Sequence, residues 1–119
     1  MAAGASAPAA RPRRLTYRAQ DGFVPTGAAT LATGDVLVLE RRFNLTGLRT
    51  RLRRIDGNAA RGGESLSGQL IATLARPLVV ENFEGLAAVA DAGGTRVFLL
   101  SDDNFSALQR TLLLMFRLD

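Results

Sequence analysis

The chain has 119 residues, 47% of them hydrophobic, with no cysteine and no histidine. That length makes one ordinary domain, and the missing residue types exclude disulfides, thiolate or imidazole zinc sites, and any Ser-His-Asp or Cys-His arrangement within the chain. The formal charge of +4 is accounted for by Arg11, Arg13, Arg14 and Arg18, because the remaining arginines balance the 11 acids; a nucleic-acid-binding domain keeps its positive excess on the folded part, so no nucleic-acid partner is expected.

Residues 1–14, MAAGASAPAARPRR, read as a disordered Ala/Pro/Arg-rich tail. They have no apolar h-region and carry their charges after the small residues, which is not the pattern of a signal peptide. No apolar run approaches the roughly 18–20 residues of a membrane-spanning helix, so no membrane span is expected. From residue 15 to 119 strand signals dominate. Asp35–Glu40 is a short apolar run after the turn-former Gly34, and Thr50–Ile55 returns against it as a hairpin through Asn44-Leu45-Thr46-Gly47. Gln69–Leu74 is ambiguous between helix and strand, because Leu70, Ile71 and Leu74 fit a helical turn while glycines surround them. Leu78-Val79-Val80, Leu86–Ala90, Arg96–Leu100 and Thr111–Leu118 continue the strand series, with Asp91-Ala92-Gly93-Gly94 as a turn. Arg49, Arg51 and Arg53 fall on one strand face by period two and read as its solvated side. Phe23, Phe43, Phe83, Phe98, Phe105 and Phe116 recur near strand ends and read as packing between sheets.

An approximate repeat joins the two halves. Gly27–Leu31, a glycine turn, Val36–Leu39, Glu40 and Phe43 are matched by Gly85–Val89, a glycine turn, Val97–Leu100, the acids Asp102 and Asp103, and Phe105. The order and size are those of a propeller blade, an antiparallel sheet with a Gly-rich hairpin. The expected fold is therefore all-β and antiparallel, with about two propeller-like blades forming an incomplete propeller. The alternative is a small β-sandwich.

Oxygen-bearing side chains gather at the strand ends. Glu81, Asn82 and Glu84 precede one apolar run, and Ser101, Asp102, Asp103 and Asn104 follow another. Such donors suit a hard cation, so a Ca²⁺ site is expected from Glu84, from Asp102 or Asp103, and from Glu40 at the corresponding strand end. Asp102 and Asp103 are adjacent and point to opposite faces if extended, and spacing does not choose between them. Arg41, beside Glu40, is either a substrate-facing anion binder or part of a rim salt bridge. Arg110 reads as an ion-pair partner for Asp102 or Asp103. The Gly-rich pieces Arg61–Glu64 and Ala92–Thr95 lack the lysine of a phosphate loop and read as turns.

Asn82-Phe83-Glu84-Gly85-Leu86, Leu100–Phe105 and Gln109-Arg110-Thr111, with Leu39–Phe43 and Gly47–Arg51 upstream, resemble the bacterial "esterase-like activity of phytase" family, also called phytase-like domain proteins. The likeness runs from about Tyr17 to the C-terminus. It implies the C-terminal segment of a longer phytase-like protein, a metal-assisted phosphoesterase hydrolase acting on a phosphate-ester small molecule. Glu84 and Arg41 would be its catalytic residues. Glu81 departs from the Asp that usually opens the motif, which puts a metal role for Glu81 in doubt. The resemblance implies export, as is typical of relatives, whereas no signal-peptide pattern is read in this sequence. A non-catalytic binding or structural β-module is the alternative.

Overall fold

The computed structural model describes residues 14–45, 47–62, 65–74, 83–101 and 113–118. The Asp21-Gly22 turn feeds β2 (Val24–Thr30), which pairs antiparallel with β3 (Val36–Asn44). The chain returns as β4 (Gly47–Ile55), with Asn44 opposite Gly47. Gly47 has φ 113, a conformation that costs glycine nothing. A short helix, α1 (Gly57–Gly62), follows, with the Asn58 N–H donating to Asp56 Oδ1 at 2.8 Å at its start. β6 (Gln69–Leu74) completes a four-stranded sheet of order β2-β3-β4-β6. Gln69–Leu74 is thus a strand, because pairing with β4 satisfies its backbone where a helix among glycines would have little support. Two-residue strands β1 (Thr16–Tyr17) and β5 (Ser65–Leu66) pair with each other in parallel.

The second sheet has order β7-β8-β9, from β7 (Phe83–Asp91), β8 (Gly94–Ser101) and β9 (Leu113–Leu118), all antiparallel. The β7–β8 turn is Asp91-Ala92-Gly93-Gly94, as the turn chemistry predicts. The expected strand Leu78-Val79-Val80 lies outside the described residues. Among those residues the chain is all-β, with antiparallel four- and three-stranded sheets and no closed barrel.

The two sheets share one core. Leu31, Leu37, Leu39 and Leu52 on one face of the first sheet bury against Phe83, Val97 and Leu99 of the second. Ile71, Leu86, Leu114 and Phe116 pack around them. Each fully buried leucine of this set contributes about 1.5–3 kcal/mol of apolar transfer energy. The sheets approach closely at Gly27, where an added Cβ would stand 3.1 Å from the Glu84 carbonyl oxygen and 3.6 Å from Leu86 Cβ. A smaller cluster of Val38, Ile55 and Leu66, with Tyr17 and Ala60 against it, covers the opposite face of the first sheet.

Of the aromatic rings, Phe83 is buried between the sheets and Phe116 packs at the edge of that core. Phe43 stands 79% exposed at the β3–β4 hairpin end. Phe23 lies under arginine guanidiniums. Packing between sheets therefore explains only some of the rings, and Phe105 lies outside the described residues.

Candidate functional site

The most developed polar constellation lies on the face of the first sheet turned away from the second. It follows from the β3–β4 turn. With Asn44 opposite Gly47, Glu40 faces Arg51, Val38 faces Arg53 and Arg42 faces Arg49. Side chains directly opposite across a pair lie on one face. Glu40 is wholly buried, and its Oε1 accepts from Arg51 Nε at 2.6 Å and Arg53 Nε at 3.3 Å. Its Oε2 accepts from the Tyr17 hydroxyl. The phenol is held well above its ordinary value, first by burial and then by its hydrogen bond to Glu40 and that carboxylate's charge, so it stays a donor.

The Nη atoms of both arginines are bonded as well. Arg51 Nη1 donates to Asp21 Oδ2 at 3.2 Å and Nη2 to the Gln20 carbonyl at 3.0 Å. Arg53 Nη1 donates to the Gly68 carbonyl and Nη2 reaches Gln20 Oε1 at 3.5 Å. Gln20, Asp21 and Phe23 come from one tight turn, closed by the Phe23 N–H on the Gln20 carbonyl at 3.1 Å. Asp21 and Gly22 both have positive φ there, the signature of a type I′ turn, which Asp and Gly tolerate. The Arg51 guanidinium carbon stands 3.7 Å above the Phe23 ring and that of Arg42 4.9 Å away, both in cation–π range.

Arg51 and Arg53 are therefore buried, at 6% and 8% exposure, which corrects the expectation of a solvated arginine face. The cover comes from the Gln20–Phe23 turn, distant in sequence, and the charge is balanced by Glu40 beneath it. Arg49 remains exposed.

Glu84 lies elsewhere. The β7–β8 register slips between Phe83 and Gly85, so Glu84 is the extra residue of a β-bulge, and its side chain is exposed. Bulges of this kind re-aim a side chain at sheet edges and beside active sites. The first sheet has a bulge at the matching repeat position, Thr26, between Pro25 opposite Glu40 and Gly27 opposite Leu39. Thr26 Oγ1 ties the two bulges together, lying 3.2 Å from the Phe83 carbonyl oxygen and 3.4 Å from that of Leu39. Arg41 is half-buried and, by alternation with Leu37 and Leu39, stands on the face toward the second sheet, at the end where β7 begins.

Asp102 and Asp103, and the expected Arg110 ion pair with them, lie outside the described residues. Among the described residues, no three His, Cys, Asp or Glu side chains gather where a metal ion would be held. Glu84 alone supplies far fewer than the roughly six to eight oxygens that Ca²⁺ takes. Glu40, with both oxygens accepting, is held by cationic and phenolic donors.

A cleft of about 470 Å³ opens on the Glu40 side of the first sheet, with apolar walls that include Pro25, Ala28, Val36, Val38 and Leu66, and with Tyr17 between it and Glu40. At the β7–β8 turn, Asp91 accepts from the Gly93 N–H at 2.9 Å, from Arg96 at 2.6 Å and from Arg117 at 3.3 Å. Led by the Gly93 bond, these partners hold its carboxyl at about 2.

A family model described as Phytase-like, "esterase-like activity of phytase", matches residues 3–105. The match begins upstream of Tyr17, inside the Ala/Pro-rich tail, and ends at Phe105, before Gln109-Arg110-Thr111. No curated protein and no solved structure matches the chain.

Proposed function

The chain belongs to the phytase-like family, and from that premise we propose that it forms part of a hydrolase of phosphate esters whose reacting centre lies where β2 and β7 meet. The observation that carries this reading is the pair of bulges, which turns Glu84 out at the junction of two sheets built on one plan. The two sheets, touching along the equivalent strands β2 and β7, are read as consecutive propeller-like blades, with that junction on the axial side.

In this reading Glu84 accepts a proton from the water that attacks phosphorus, and Arg41 neutralises charge as the bond to the ester oxygen breaks; the leaving oxygen takes up a proton from solvent and departs as the alcohol. Ca²⁺, held by Glu84 with Asp102 or Asp103, would supply Lewis-acid polarisation of the phosphoryl oxygens. Glu40 is assigned a different task from metal binding. It anchors Arg51 and Arg53, and so fixes the strand that carries Arg41.

A second reading is a non-catalytic binding module, in which the same junction holds its ligand without turnover. The two separate in one experiment. Phosphate release from an aryl phosphate and from a polyphosphorylated cyclitol is followed with and without Ca²⁺, beside hydrolysis of an aryl acetate and the melting temperature. Calcium-dependent phosphate release supports the hydrolase. Calcium-dependent stabilisation without turnover supports the module and refutes the hydrolase.

A further inference from the structure

The repeat register exposes an asymmetry between the two sheets. Matching Gly27 opposite Leu39 to Gly85 opposite Leu100 aligns Leu31, Leu37, Leu39 and Leu52 with Val89, Phe98, Leu100 and Leu113. In the first sheet this row is the buried core, none of the four more than 5% exposed. In the second sheet it lies on the outer face, where Val89, Leu100 and Leu113 are 52%, 47% and 65% exposed. Met115 on the same face is 50% exposed.

The surface that receives this row inside the chain is also present twice. The first sheet's leucines pack on Phe83, Leu86, Val97 and Leu99. Under the same alignment these correspond to Pro25, Ala28, Val36 and Val38, which line the 470 Å³ cleft. The contact between the sheets is therefore head-to-tail, one face of a sheet on the opposite face of the next. Among the described residues, one exposed head and one partly open tail remain. Such heterologous surfaces propagate from copy to copy.

We propose that the outer face of the second sheet docks on the cleft face of the first sheet of another copy of this chain, with Leu100 and Val89 entering between Ala28 and the wall formed by Tyr17 and Leu66. The interface repeats between molecules the packing already present within one. It stands independently of the hydrolase reading, since it rests on the repeat alone.

The test is sedimentation of the full chain from micromolar to submillimolar concentration, with Leu100→Glu to block the head and Ala28→Glu to block the tail. Both positions are exposed, and circular dichroism checks that each variant is folded; Met115→Glu replaces Leu100→Glu if the latter is not. The wild-type mass rises with concentration to at least twice the 12.7 kDa monomer. Each variant alone stays monomeric, and their mixture forms a one-to-one dimer, because each retains the surface the other has lost. A monomeric wild type overturns the proposal. So does a mixture that stays monomeric, since the two retained surfaces then do not meet, or an Ala28→Glu chain that associates like wild type, since the outer face then pairs with itself.

Discussion

Replacing Glu40 with glutamine tests whether the arginine cluster is held by charge balance. The substitution keeps shape but leaves Arg51 and Arg53, both under 10% exposed, without their shared carboxylate. The Nε donors of both arginines and the Tyr17 hydroxyl lose an ionised acceptor together. Breaking a buried pair in this way costs about 3–5 kcal/mol, because Arg53 is left desolvated without a carboxylate and Arg51 keeps only the exposed Asp21. With ~4 °C of melting temperature per kcal/mol for a domain near 100 residues, the midpoint falls by roughly 12–20 °C. Urea unfolding followed by circular dichroism measures the change, with the slope compared to exclude a shift in the unfolded state. The triple change Glu40→Leu, Arg51→Leu, Arg53→Met removes all the buried charge at once and is expected to recover most of the loss. A Glu40→Gln cost below about 1 kcal/mol, typical of an exposed pair, would show that water reaches the cluster and refute the reasoning.

Tyr17→Phe leaves Glu40 Oε2 without its phenol and is expected to cost about 1.5–3 kcal/mol by the same unfolding assay, the scale of a bond to a charged group. Gly27→Val sets a branched side chain against the Glu84 carbonyl and is expected to cost about 1–3 kcal/mol, whereas Ala28→Val, exposed on the same strand, changes the midpoint little. The Asp91 carboxyl is depressed from 3.8 to about 2 on folding, so its stabilisation is present above 3.8 and is lost as pH falls toward 2. Melting temperatures between those pH values should therefore fall less steeply in Asp91→Asn than in wild type; parallel curves would contradict the role given to its partners.

Much of the fold is legible in local chemistry. Gly47 and Gly94, both at positive φ, open the returning strands, and the pairs Asn44–Gly47 and Asp91–Gly94 set the registers of two hairpins. The repeat is more faithful in three dimensions than in sequence, since both hairpins carry a bulge one residue before the aligned glycine. The Glu40 cluster was within reach too. Once Asn44 faces Gly47, counting back places Glu40 opposite Arg51. What counting does not reveal is that the Gln20–Phe23 turn folds over that face, and period two alone reads such a face as solvated. α1 escaped for a related reason. Gly57 and Gly62 argue against a helix, but Asp35 Oδ1 accepts from the Gly57 N–H at 2.9 Å and pins its start, a contact made across 22 residues. For the proposed site, the family resemblance points to Glu84 and Arg41, and the structure adds the bulge that exposes one and the face on which the other stands.

The claim that Glu84 works at the β2–β7 junction is tested most directly by the rate of phosphate release from an aryl phosphate at saturating Ca²⁺, wild type against Glu84→Gln. Glu84 is exposed, so the variant should melt with the wild type while its turnover falls by about 10²-fold or more, the scale of a lost general base. Equal rates in the two proteins would contradict the assignment.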